Sequence, residues 1–358
     1  MSCAGKVYFV KASESDSVDE VKKRLSKLCD ESRVLDCVKG GDTTAVKIHF
    51  GDEGNTGHVK PEYAGVVCRK LIENGSVPFL ADTNTLYRGR RTNSADHIKL
   101  AHEHGFTKKA CGAEVVVPDD AKRGNVADVE IDGSFFKIAK VASVFLRAGS
   151  LVSLAHFKGH MMTGFGGALK NIGMGCASRE GKLAQHSEIA PIVDLKKCEG
   201  CMECVKSCPA DAIYKKSGRI VIDSSKCIGC ATCIAACVHG AIGVPWESGG
   251  MKIQEKMIEY ASAVLLKKKG KAAFINFAMK ITKECDCLAK DDPRIAPDVG
   301  IFASLDPVSI DRACYDVVVR SCGKDIFKEA HPDRDGSKQL KYAAQMGLGS
   351  LDYELIEL

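Results

Sequence analysis

PEYAGVVCRKLIENGSVPFLADT (residues 61–83) reads as a helix running into a strand. Pro61 stands where a helix can begin, because the N–H it lacks would be unpaired there anyway, and Gly75 stands where a helix can stop. The short apolar run 77–83 suits a strand. The same alternation extends in both directions. Upstream, residues 6–12 (KVYFVKA) and 43–50 (TTAVKIHF) read as strands. Between them, residues 17–31 place Val18, Val21, Leu25 and Leu28 at helical spacing, with Ser17 as N-cap. Downstream, residues 93–106 read as a helix, and residues 113–119 and 150–157 as strands. After Met251 the pattern resumes, with a helix at 252–270 and strands at 271–281 and 299–305. Asp306 then caps a helix that has Pro307 at its first position. The ending, 338–358, reads as a helix and an extended tail. Strands and helices in alternation imply an α/β fold with a mostly parallel sheet and flanking helices.

From about Pro191 to Pro245 the character changes. CEGCMECVKSCPADAI (198–213) and CIGCATCIAACVHGAI (227–242) form an internal repeat of C-x2-C-x2-C-x3-C. This is similar to the bacterial two-cluster ferredoxin pattern, in which three cysteines of one run and the last of the other hold each [4Fe-4S] cube. On that pattern one cluster takes Cys198, Cys201, Cys204 and Cys237, and the other takes Cys227, Cys230, Cys233 and Cys208. Gly200 and Gly229 suit the tight loops, and YKKSGRIVID (214–223) suits a hairpin. One departure is Val238, which stands where the first run has Pro209. Zinc sites or free thiols are the competing readings of such cysteines, and the doubled spacing favours clusters. The expected organisation is one α/β domain, 1–190 with 247–358, interrupted by a small α+β dicluster insert at 191–246. Two α/β domains flanking the insert are the alternative.

The 358 residues include 18 cysteines, and 51 basic against 46 acidic residues give a net charge of only +5. That balance gives no support for a nucleic-acid partner. No apolar run approaches the length of a membrane span. The first residues, MSCAGKVYFV, lack the basic-then-apolar pattern of a signal peptide. The expectation is a reduced cytoplasm with metal as the first explanation of the cysteines, a usage that also suits an anaerobe.

Four polar segments fall where strands should end, which is where open α/β sheets gather their sites. They are 47–63 (with Lys47, His49, Asp52, Asn55), 81–97 (with Asp82, Arg88, Arg90, Arg91), 156–187 and 281–287 (ITKECDC). Each has a plainer reading. Asp52 and Asn55 among glycines suit a turn. The arginines suit a solvated loop as well as an anion site. His102 and His104 suit a helix C-terminus. Gly166 and Gly167 precede a helix-like ALKNIG and either serve close packing or turn N–H groups toward an anion. Cys285 and Cys287 are either buried small hydrophobes or metal or redox ligands flanking Asp286.

Taken together, HFGDEGNTGHVKPEY (49–63), DTNTLYRGRRTN (82–93), HFKGHMMTGFGGALKNIGMGCASREGK (156–182), CDC (285–287), PDVGIFASLDPVSID (297–311) and GLGSLDYEL (347–355) resemble the domain-of-unknown-function 362 family, in its variant with an inserted ferredoxin module. The resemblance covers nearly the whole chain and supports an interrupted single domain. It implies an iron–sulfur protein and gives weight to these loops as a site.

The expected site is a composite pocket beside the clusters. Lys158 and His160 face it, with Lys170 and Asn171 on the next turn. Asn55, Arg88, Gly166 and Gly167 are further candidates for holding a ligand. Cys176, Cys285 and Cys287 are candidate ligands of a third metal centre, unless the pocket holds an anionic ligand instead. His49 is a candidate proton donor, with a useful pKa unless burial moves it. The expected function is a ferredoxin-type oxidoreductase with a redox partner protein and a small anionic substrate. The alternatives are a non-catalytic electron carrier and a metal- or cluster-handling protein.

Overall fold

A computed structural model of the chain describes residues 4–120, 122, 124–186, 190–245 and 252–358. The residues read as lacking a signal peptide begin with Met1–Cys3, which lie outside this set. So do Ser187, at the end of one polar segment, and residues 246–251, at the second expected junction of the insert.

The core is an eight-stranded sheet. Its strands run in the order Tyr353–Glu357, Gly5–Lys11, Gly300–Ser304, Ala272–Ala278, Ser150–His156, Thr43–Ile48, Val77–Ala81 and Glu114–Val116. Only Gly300–Ser304 runs against its neighbours; the other pairings are parallel. The mostly parallel α/β reading therefore holds. The extended tail is the edge strand Tyr353–Glu357, parallel to Gly5–Lys11.

Both faces of the sheet are covered. Phe274 packs into one core and Ile275 into the other. The central strand Ser150–His156 is buried at every position, as a strand with no solvent face must be. Local signals set the helix ends. Ser17 and Glu20 form a reciprocal capping box before the helix Val18–Ser32, which buries Val21, Leu25, Leu28 and Cys29. Pro61 opens Pro61–Glu73. Asp306 accepts from the N–H groups of Val308 and Ser309, both at 2.8 Å, and its other oxygen accepts from Ser350 N at 2.8 Å. One carboxylate thus starts the helix Pro307–Cys322 and ties down the C-terminal strand.

The cysteine-rich repeat forms its own small unit. Ile213–Lys216 and Arg219–Ile222 make the expected hairpin, and Ile192–Val193 pairs with Ile242–Gly243. Short helices Glu203–Lys206 and Thr232–Ala236 occupy matching places in the two repeats. A separate hydrophobic cluster fills it, and Leu86 and Leu183 of the α/β domain belong to that cluster.

Candidate functional site

Four adjacent parallel strands end at one place. Lys47 and His49 come from the end of Thr43–Ile48, Asp82 follows Val77–Ala81, His156 closes Ser150–His156, and Asp286 lies on the loop beyond Ala272–Ala278. Lys47 Nζ is 3.1 Å from Asp82 Oδ1 and 2.8 Å from Asn171 Oδ1. Lys158 Nζ is 3.0 Å from Asp286 Oδ2 and donates to the His156 carbonyl at 3.0 Å. Lys47, Asp82, His156, Lys158 and Asp286 are buried, and His49, Lys170 and Asn171 are half-buried.

Two histidines show opposite surroundings. Both ring nitrogens of His49 face donors: Gly51 N at 2.9 Å from Nδ1 and Arg91 Nη1 at 2.8 Å from Nε2. Both nitrogens of His156 face acceptors: the Asp286 carboxylate at 3.0 Å and the carbonyls of Met279 and Lys280 at 3.0 and 3.1 Å. Burial, then the Arg91 charge, drives His49 well below the ordinary histidine range. It is a neutral ring at physiological pH, which corrects the expectation of a ready proton donor. His160 is also driven well below its usual range by burial, then by Lys170.

The titrating group is a lysine. Burial, then Lys158, brings Lys170 down to about 7, despite the opposing pull of Asp286. Lys182 is brought to about 8 by burial and donates to Thr83 Oγ1 and the Asn84 carbonyl at 2.5 Å. Burial opposes ionisation of Asp82 and Asp286. The surrounding lysines and histidines outweigh it: Lys47, His49, His97 and Lys182 at Asp82, and His156 and Lys158 at Asp286. Both carboxyls therefore lie well below the usual range.

The glycine-rich stretch makes room for these charges. A Cβ on Gly166 would lie 2.8 Å from Lys170 Cδ, and one on Gly175 would lie 2.6 Å from Lys47 Nζ. A Cβ on Gly167 would lie 2.3 Å from Asp311 Oδ1. The Asp311 carboxylate accepts from Ala168 N and Leu169 N at 2.7 and 2.9 Å. The anion at the start of the helix Ala168–Gly173 is therefore the protein's own. Gly166 and Gly167 thus serve packing rather than ligand binding.

Other expected site residues also take different places. Asn55 makes a turn, with Oδ1 accepting from Gly57 N and His58 N and Nδ2 donating to Lys290 O. Asn171 spends both ends of its amide on Lys47, Ser153 and Leu154, so it positions Lys47 rather than a ligand. Cys176 is fully buried in the core, and burial pushes its thiol up to about 12. It is not part of the group of candidate ligand atoms that Cys285 and Cys287 form with His160. Arg88 is exposed and lines a cleft of ≈ 910 Å³ against the insert, with Arg147, Arg179 and Cys237. The arginine loop divides: Arg90 pairs with Glu103 outside, while Arg91 is buried against Asp52 at 3.0 Å. His104 does more than face a helix end, since its Nδ1 bonds the Phe50 carbonyl at 2.7 Å and its ring stacks on His58.

Cys285 and Cys287 are joined in a disulfide, Cα to Cα 5.2 Å. They do meet a third ligand type: one atom each from His160, Cys285 and Cys287 lie within 4.8 Å of one another. His160 Nδ1 is taken by the N–H groups of Met162 and Thr163, which leaves Nε2 as its ligating nitrogen.

In the insert, Cys198, Cys201, Cys204 and Cys237 line one cavity. Cys204 feels Cys237 and Cys198, and Cys233 feels Cys230, Cys227 and Cys208 before Cys204. The two repeats share unusual backbone: Gly200 and Gly229, and Met202 and Ala231, all have positive φ. Ala212 N and Ala241 N donate to the sulfurs of Cys208 and Cys237 at 3.3 and 3.2 Å.

The family profile of the domain of unknown function DUF362 matches residues 44–316. The chain belongs to the DUF362 family. The match begins at the strand that carries Lys47 and His49 and ends in the helix Pro307–Cys322, so it includes the lysine–aspartate site of this DUF362 protein. No curated protein matches it. Among solved structures it is similar to a crystal structure of a Thermotoga maritima protein, with a TM-score of 0.42 and 14% identity over 92% of this chain and 59% of that one. It is also similar to the lactate racemase apoprotein of Thermoanaerobacterium thermosaccharolyticum, with a TM-score of 0.39 and 17% identity over 76% of this chain and 50% of that one. The chain thus spans less than two thirds of either. No helix among the described residues is long and apolar enough to cross a membrane.

Sequence reasoning named Asp286 and Arg91 only as loop members and passed over His156. Asp286 lies between the two cysteines already singled out, and that adjacency was the available signal. His156 ends the strand SLVSLAH, buried at every position, where nothing in the pattern distinguishes it from a core residue.

Proposed function

We propose that this protein is an iron–sulfur oxidoreductase that moves electrons between two [4Fe-4S] clusters in the insert and an anionic substrate in the α/β site. The residues of the insert fit such clusters. Four cysteines line one cavity in the crossed-over combination, and left-handed turns and N–H groups meet the sulfurs. Bound there, the clusters supply electrons one at a time.

The helix Arg179–His186 carries the proposal, because it joins the two regions. Leu183 packs in the core of the insert, while its neighbour Lys182 reaches Thr83 and Asn84 beside Asp82. Arg179, on the same helix, lies within electrostatic reach of Cys230. At the site, Lys47, Lys158, Lys170, Lys182 and Arg91 outnumber Asp52, Asp82 and Asp286, so the site favours an anion. Lys170 carries its proton below about pH 7 and releases it above, which suits it to proton transfer at the substrate.

A carrier needs no such site. Burying cations costs several kcal/mol each in order of magnitude, and a docking body would have no use for that cost. This favours an enzyme over a non-catalytic carrier. A redox partner protein delivers or removes the electrons, and the exposed Cys201 is the cluster ligand nearest solvent.

Metal and sulfide content on protein purified without oxygen tests the reading. About eight irons per chain are expected. A chain that folds with zinc, or with no iron, would remove the basis of the proposal.

A further inference from the structure

The segment CDC (285–287) is positioned to do more than supply Asp286 to the lysine–aspartate site. Its two cysteines are paired in the structure, yet their sulfurs also lie beside a buried imidazole. These two arrangements exclude one another, because a sulfur in a disulfide is a poor ligand and a thiolate is a strong one. The loop is also wired to the insert. Leu86 sits in the hydrophobic cluster that contains Cys204, Cys233 and Cys237. The next residue, Tyr87, donates its hydroxyl to the Cys287 carbonyl at 2.8 Å. Arg91 holds the same hydroxyl from the side of His49. Two consecutive residues therefore span from the cluster ligands to the disulfide.

We propose that Cys285 and Cys287 form a two-electron disulfide–dithiol couple that exchanges electrons with the insert through Leu86 and Tyr87, and whose dithiol state, with His160, holds a thiophilic divalent metal ion. The proposal rests on the iron–sulfur reading above. In the reducing direction the S–S bond breaks, and the pair takes up two electrons and two protons to give two thiols. The electrons come from two ferredoxin-type clusters, each returning from its reduced to its oxidised state. Metal binding then displaces the two thiol protons. His160 Nε2 and two thiolates make three protein ligands, which leaves a coordination position open for substrate. The clusters deliver single electrons and a disulfide accepts a pair, so two clusters match one disulfide.

The test is an anaerobic reductive titration of the full chain, with iron measured on the same sample. Wild type should take up about four electrons per chain, two at the clusters and two at the disulfide, and Cys285→Ser with Cys287→Ser about two. Alkylation followed by mass spectrometry should trap Cys285 and Cys287 only after the clusters are reduced. Reduced protein should retain about one added Zn²⁺ per chain through desalting, and oxidised protein none. Iron content in the double variant equal to wild type reports that it folds. Uptake of about two electrons by both proteins, with about eight irons in each, would overturn the inference and leave the iron–sulfur reading standing. So would equal zinc retention in both redox states. Iron far below eight in wild type would overturn the iron–sulfur reading itself.

Discussion

Lys158 Nζ lies 3.0 Å from Asp286 Oδ2, with both side chains buried. The contact joins the strand Lys158–His160 to a loop more than a hundred residues away, and Asp286 answers His156 with the same carboxylate. A buried charge deprived of its partner is costly, so Asp286→Asn should destabilise the protein by about 3–5 kcal/mol. Adding Lys158→Met should recover part of that loss. Urea denaturation of the two single variants and the double variant measures the coupling, and strictly additive losses would mean that the pair does not interact.

Lys170 should set a pH dependence near neutrality. Its folded pKa of about 7 lies below the unfolded value, so between these values the unfolded chain binds one more proton than the folded one. Stability should therefore rise as pH increases above 7, and the destabilisation should be complete below it. Lys170→Met should raise the melting temperature most at pH 6 and least at pH 10. If the gain were the same at every pH, Lys170 would be carrying an ordinary lysine pKa.

The same substitution should weaken anion binding. In wild type, affinity for an anionic ligand should fall as pH rises through about 7, where Lys170 loses its charge. Calorimetric titration with a small carboxylate at pH 6 and pH 8 checks this. Lys170→Met should bind weakly and equally at both values.

Cysteine variants should resolve the crossover. Cys237→Ser is predicted to lose the cluster shared with Cys198, Cys201 and Cys204, leaving about four irons per chain. Cys208→Ser should leave about four as well, but at the other cluster. Their electron paramagnetic resonance spectra in the reduced state should therefore differ from one another. Identical residual spectra would contradict the assignment.

Gly167→Ala should be destabilising although the backbone there is not left-handed. The added methyl would fall 2.3 Å from Asp311 Oδ1 and 3.0 Å from Phe157. Overpacking of this kind costs about 1–3 kcal/mol. Circular dichroism melting of Gly167→Ala against Gly54→Ala, where nothing lies within 4 Å, separates steric from conformational cost.

The α/β alternation, the capping of Val18–Ser32 and Pro307–Cys322 and the repeat of the insert were all legible, because each depends on residues close together in sequence. The loops of the site were legible as loops. Their internal roles were not: Asn55 and Asn171 read as ligand contacts and are hydrogen-bonded to their own framework, and Gly167 read as an anion cradle and is filled by Asp311.

By itself, then, the sequence determined the order of strands and helices and the two cysteine runs, since hydrophobic period and ligand spacing are local properties of a chain. Only the tertiary structure decided that His49 is a neutral ring, that Lys170 titrates near 7, and that His160 meets Cys285 and Cys287. A pKa depends on burial and on charges brought from other strands, and a ligand group depends on where distant loops converge. His49 and His156 are the same residue type at the ends of neighbouring parallel strands. One faces donors at both ring nitrogens and the other acceptors at both, and no local pattern in the chain distinguishes them.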